Sequence, residues 1–180
     1  MLSKRLIIIL LALVGFSACY ANRIEAKAEA SAGDISSAGK AAMIEARAQL
    51  ENVFAPIFQS IVSEYEDEVG DFTMPTHELI KKVQKQVYTT YITYEQKMAK
   101  TYKDGQNIYI ATVTASIQSE RLVMAMDRYL LPKAGENRKG HDKKVKQLRE
   151  VITSQFDLYN LPLTGDSEPE GHSRKHSNKR

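Results

Sequence analysis

Cys19 is the single cysteine of this 180-residue chain, and it stands at the end of an apolar run, in the order Phe16-Ser17-Ala18-Cys19-Tyr20-Ala21. A thiol at that place invites one reaction: thioether formation with a diacylglycerol, then cleavage on the amino side of the cysteine. That processing expects an aliphatic residue, two small residues and cysteine. Phe16 is the departure, since leucine is usual there, while Ser17 and Ala18 fit. An acylated Cys19 is blocked as a nucleophile. Its acyl chains would hold a membrane firmly, at about 0.8 kcal/mol for each buried CH₂. The rival processing is an ordinary cut after Ala21, which discards the cysteine.

The other chemistry-bearing residues are weaker candidates. His172 and His176 are four apart and would share a metal only on a helix, but Gly, Ser and Pro around them disfavour one. His77 falls in a first helical turn and His141 in a polar loop. Glu64, Glu66, Asp67, Glu68 and Asp71 form an acidic run whose spacing does not match a calcium-binding EF-hand loop, so it reads as a solvated helix end. Lys139, Lys143, Lys144 and Lys146 form a basic counterpart that could meet anionic head groups, with a solvated helix start as the plainer reading. Tyr88, Tyr91, Tyr94, Tyr102 and Tyr109 cluster around a turn, where sheet packing is the plainer reading and a sugar platform the sharper one. "LPLTG" at 161–165 resembles a wall-sorting pentapeptide, but no apolar span separates it from the basic tail, so sorting is rejected. No G-x-S-x-G, H-E-x-x-H, phosphate-loop or dinucleotide glycine pattern occurs. No catalytic residue, metal site or cofactor is assigned.

The segment before Cys19 explains its setting. Lys4 and Arg5 form a positive start, and Leu6 to Phe16 is a short apolar stretch, the pattern of a secretory signal peptide over residues 1–18. It is too short for a membrane span. Lys4 and Arg5 carry two of the formal +3 charges, so a chain starting at Cys19 carries +1, too balanced for a nucleic-acid partner. Without a second cysteine there is no intrachain disulfide, and with 43% hydrophobic residues the fold must stand on packing.

The elements follow from periodicity. Ile24, Ala26, Ala28 and Ala30 alternate with polar residues, so a short first strand is expected within a tether at 19–34. A long helix is expected from Ile35 to about Val69, with Met43, Ala46, Leu50, Phe54, Ile57, Ile61 and Tyr65 along one stripe. Asp34 or Ser36 caps it, Pro56 kinks it, and Gly70 ends it. Thr73 or Thr76 caps a second helix carrying Leu79, Ile80, Val83 and Val87. Tyr, Thr, Ile and Val then dominate, with strands expected near 90–103 and 106–115. Asp104-Gly105 lies between them and accepts the positive φ angles of a tight hairpin turn. Ile108 and Ile110 are placed on one face of the second strand, and Tyr109, Ala111 and Val113 on the other. Helices follow at 116–132, with Ile117, Leu122 and Met126 inward, and from Asp142 to about Tyr159, after a polar loop at 133–142. A folded region at 35–159 is thus followed by a polar tail at 160–180, expected to be disordered. The competing architecture is an all-helical bundle, if 88–115 were helical.

The order of these elements, with "AGKAAMIEARAQLENVFAPI" after the cysteine and a strand pair turning at Asp104-Gly105 between Tyr102 and Val113, resembles the LPP-twenty family of bacterial outer-membrane lipoproteins. The resemblance spans about residues 22–131 and includes an A-R-A core at Ala46-Arg47-Ala48. It implies an α+β domain, long amphipathic helices on a small antiparallel sheet, held at the outer membrane, with no enzyme activity and no catalytic residues. Tyr20 after the cysteine carries no aspartate-type inner-membrane retention signal, which agrees with that location. The expectation is a lipid-anchored envelope protein with a structural, assembly or binding role, the membrane and an envelope protein as partners, and no nucleic acid. Its rivals are a soluble periplasmic binder of a small ligand, cut after Ala21, and an envelope enzyme.

Overall fold

The computed structural model describes residues 22–160. Phe16, Ser17, Ala18 and Cys19, the pentapeptide at 161–165, His172, His176 and the tail lie outside them. The architecture is α+β. Three antiparallel strands, β1 (Arg23–Ala32), β2 (Thr93–Lys103) and β3 (Gln106–Gln118), are ordered β1-β3-β2. The helices are α1 (Ile35–Glu68), α2 (Thr76–Gln86), α3 (Ser119–Met126) and α4 (Arg138–Asn160). The segment read as an N-terminal tether is therefore integral to the sheet: ten residues of β1 pair along β3, from Arg23 opposite Gln118 to Ala32 opposite Tyr109.

Small side chains set how closely α1 approaches this sheet. Ile24, Ala28 and Ala30 of β1 and Ala111, Val113, Ala115 and Ile117 of β3 are buried on one face. Ala38, Gly39, Ala42 and Ala46 of α1 are buried with them. Alanine is a poor strand former by itself, but here it allows backbone to lie close to backbone. Further along α1 the buried residues grow to Leu50, Phe54, Phe58, Ile61, Val62 and Tyr65. Five of the seven residues of the expected stripe, Ala46, Leu50, Phe54, Ile61 and Tyr65, are buried; it departs at Met43, which is 37% exposed, and Ile57, which is half-buried, while Ala42 and Phe58 are buried. The Asp34 side chain caps α1 by accepting the Ser37 N–H at 2.8 Å. That hydrogen bond holds the Asp34 carboxyl below its ordinary pKa. Helix α1 runs on through Pro56 to Glu68, and the Gly70 N–H donates to the Tyr65 carbonyl.

Several boundaries differ from expectation. No threonine side chain caps α2: Pro75 precedes it, and the Thr76 hydroxyl instead meets Glu66 Oε1 at 2.6 Å. The stretch Val87–Tyr91, rich in strand-forming residue types, is a π-helical turn that extends α2. Tertiary contact overrides propensity there: Tyr88 crosses Phe54 edge to face at 5.9 Å, and its hydroxyl donates to the Glu51 carbonyl. Strand β3 runs on to Gln118, so Ile117 belongs to the sheet opposite Ile24 and not to the following helix. Helix α3 follows without a loop, its Ser119 N–H donating to the Asn22 carbonyl at 2.8 Å. It ends in a 3₁₀ turn at Asp127–Tyr129. Between β2 and β3, Lys103 pairs with Gln106 across a two-residue connection in which Asp104 has φ 51° and Gly105 has φ 77°. Positive φ at both positions is the primed turn that matches strand twist.

Candidate functional site

Among the described residues, those singled out for chemistry do not converge on one cleft. Among the described residues no three His, Cys, Asp or Glu side chains gather as a metal site. The acidic run is divided between two structural roles and solvent. Glu66 accepts from Thr76, and Glu64 accepts from Gln155 of α4 at 2.5 Å, which ties the end of α1 to α4. Asp67 and Glu68 are exposed. A recess of about 250 Å³ opens between the two helices, lined by Glu64, Glu68, Val69, Gln147, Glu150, Val151 and Ser154. It has three carboxylates, of which Glu64 accepts from Gln155 and Glu150 lies 3.6 Å from the Lys146 ammonium.

The basic segment is divided as well. Lys144 is buried, with its ammonium donating to the Leu131 carbonyl and to Glu136 Oε2 at 2.7 Å. The same Glu136 oxygen accepts the Lys133 N–H at 2.7 Å. Hydrogen bonding from Lys144, then from the Lys133 backbone, holds the Glu136 carboxyl below its ordinary pKa. This carboxylate closes the loop 131–138 over the start of α4. Helix α4 begins at Arg138, so His141 lies in its first turn and not in a loop; its Nε2 meets Asp127 Oδ1 at 2.8 Å. Lys139 and Lys143 are exposed, and Lys146 approaches Glu150 at 3.6 Å. No single cationic face results. Burial of Lys144 was missed in the sequence because its partner, Glu136, is eight residues away across an irregular loop.

The tyrosines separate into three settings. Tyr88 belongs to the core, and burial pushes its phenol up to about 12. Tyr91 accepts from Gln86 at 2.9 Å beside the π-helical turn. Tyr94 and Tyr102 of β2 and Tyr109 of β3 share the helix-side face of the sheet, where Lys100 lies 5.6 Å from the Tyr109 ring centre. Tyr102 is 69% exposed there because α1 covers β1 and β3 far more than β2. His77 is exposed on α2.

The structural feature that sequence reading missed is this uncovered strip. Met98 and Tyr102 stand open on the helix-side face of β2, and among the described residues the far edge of that strand has no neighbour in the sheet. Three lysines and one glutamate on the same strand hid the feature from a search for apolar runs. Its opposite face carries charges of both signs, including Lys27, Glu29 and Lys97, with Thr112 donating to Glu29.

No described helix is long and apolar enough to cross a membrane. Compared with known proteins, the chain matches no family model and no curated protein sequence.

Proposed function

We propose that this chain is a lipid-anchored bacterial envelope protein of the LPP-twenty type, acylated on Cys19 and lodged at the outer membrane, with a structural or assembly role and no catalysis. The observation that carries this reading is the sole cysteine, placed directly after a basic start, an apolar run and two small residues. The family resemblance rests on the quoted residues alone. The fold supports the reading in one respect: β1 begins at Arg23, four residues beyond Cys19. At about 3.3–3.6 Å per extended residue, an anchor there holds the start of the sheet within roughly 14 Å of the lipid attachment. The domain would ride close to the bilayer, suited to contact with other envelope components.

Intact mass spectrometry of the mature protein from native membranes, beside a Cys19→Ala chain, tests this. The expected N-terminal fragment begins at Cys19 and carries acyl mass, and the substitution abolishes it. A mature chain beginning at Asn22 without lipid overturns the proposal and leaves a soluble periplasmic binding protein as the better reading.

A further inference from the structure

Among the described residues strand β2 has a neighbour on one side only, because the strand order is β1-β3-β2. It is 11 residues long, and all but Tyr94 are exposed. A free edge of this length presents a row of unpaired backbone donors and acceptors. Lys97, Lys100 and Lys103 are the kind of residues that keep such an edge from pairing indiscriminately. They do not forbid pairing in a register that keeps them apart.

We propose that β2 pairs antiparallel with β2 of a second copy, joining two three-stranded sheets into one of six strands about a two-fold axis at Met98. Met98 is the midpoint of Thr93–Lys103, so full overlap of the two strands is centred on it. In that register Tyr94 faces Tyr102 of the second copy, twice, and Met98 faces itself. Met98 and Tyr102, 40% and 69% exposed in the single chain, thereby gain partners on the face that α1 leaves open. On the other face Thr93 faces Lys103, Glu95 faces Thr101, and Lys97 faces Ala99. No like charges stand directly opposite, and Glu95 lies diagonal to Lys103. The one like-charge approach, Lys97 to Lys97, is diagonal at about 7–8 Å, and both side chains are in solvent.

Neighbouring registers are worse. Moving the axis to Lys97 or to Lys100 sets a lysine against itself, and like charges directly opposite destabilise a strand pair. Moving it to Ala99 sets Met98 against Lys100 and takes Tyr94 out of the ladder. Moving it to Gln96 sets Glu95 against Lys97 but leaves Lys100 to Lys103, Tyr102 included, outside the ladder. Full overlap of the edge is thus self-complementary, which favours a second copy over an unrelated strand. The two-fold runs perpendicular to the sheet, so both Arg23 residues emerge at the same height along it. The pairing does not depend on the anchor, although two anchors would reach a single bilayer.

Cysteine bridging of the full chain tests the register. Directly opposed Cα atoms in an antiparallel pair lie about 4.5 or 5.5 Å apart, within the span of a disulfide. Under mild oxidation Met98→Cys is expected to form a covalent dimer readily. Met124→Cys, on α3 and 57% exposed in the parent chain, is expected not to. The unsubstituted chain reports any bridging through Cys19. A second variant, Met98→Lys, puts two cations on the axis. Sedimentation of the detergent-solubilised full chain should then fall from dimer to monomer with the circular dichroism spectrum unchanged, since Met98 contributes to no core, and the melting temperature should lose its dependence on protein concentration. A parent chain that sediments as a monomer, a Met98→Cys chain that bridges no faster than Met124→Cys, or a dimer that survives Met98→Lys each overturns the proposal. None of these outcomes bears on the mass of the N-terminal fragment, so loss of the dimer and loss of the lipid anchor are told apart.

Discussion

Exchanging the roles of two adjacent residues on α1 tests how that helix is turned against the sheet. Periodicity placed Met43 on the inward stripe, whereas the fold buries Ala42 completely and leaves Met43 37% exposed. One residue along a helix is a rotation of about 100°, so the two placements differ in which residue of this turn meets the sheet, with Ala46, Leu50, Phe54, Ile61 and Tyr65 inward in both. Met43→Ala removes a side chain from a partly open site and leaves no closed cavity. Its cost should be about 1 kcal/mol or less, near the range of surface changes. Were Met43 in the core, the same change would cost about 2–5 kcal/mol. Ala42→Leu adds three carbons where Ala38, Gly39, Ala42 and Ala46 form a seam of small residues, and overpacking of that kind costs about 1–3 kcal/mol. For a domain of this size 1 kcal/mol moves the melting temperature by roughly 3–5 °C. Thermal unfolding followed by circular dichroism should therefore give a drop of about 5 °C or less for Met43→Ala and about 3–15 °C for Ala42→Leu. Guanidinium titrations with an unchanged slope would place both effects in stability. A large loss for Met43→Ala with a neutral Ala42→Leu would refute the packing described here and restore the stripe read from periodicity.

Two further predictions concern protons. Burial raises Tyr65 and Tyr88 to about 12, each with a smaller contribution from a nearby glutamate. A phenol raised in the folded state stabilises fully below its ordinary value near 10, and that contribution is lost as the pH climbs from 10 towards 12. Absorbance at about 295 nm, a wavelength that reports phenolate, should show a late component that Tyr88→Phe reduces; a single step near pH 10 with native circular dichroism would contradict the burial. Glu136 has the opposite sign, its carboxyl lowered by Lys144, so its contribution is present above the ordinary glutamate range and lost as pH falls through the folded value. Glu136→Gln should melt below the parent at pH 7, with the gap closing in acid; a gap that persists at low pH would show that the carboxylate charge plays no part in closing the loop.

Much of the fold was legible because it rests on local chemistry. Asp34 before an amphipathic run and Asp104-Gly105 between strand-forming stretches each act on their own neighbours. The length of α1 and the alternation of β1 were readable for the same reason. The π-helical turn at Val87–Tyr91 was not, because Phe54 and the Glu51 carbonyl, far away in the chain, decide where Tyr88 sits. The end of β3 was misplaced because Ile117 suits a helix face as well as a strand, and only Ile24 opposite it settles the choice. The candidate site divides along the same line. The lipid-attachment reading of Cys19 comes wholly from adjacent residues in a processing signal, and the described residues begin after it. The pairing edge on β2 comes wholly from topology: the alternation of lysine, methionine and tyrosine there looks like any solvated strand.

By itself, then, the sequence determined the α+β class, the Asp34 cap and the Asp104-Gly105 turn, and it is the sole ground for the lipid attachment proposed at Cys19, since each depends on residues within a few positions of one another. Only the tertiary structure decided that Ala42 and not Met43 is buried in the first turns of α1, that Lys144 is buried against Glu136, and that β2 is left open at the edge. Those depend on which elements meet across the chain, and a helix turned by 100° or a strand moved to the middle of the sheet would have changed them without altering a single local pattern.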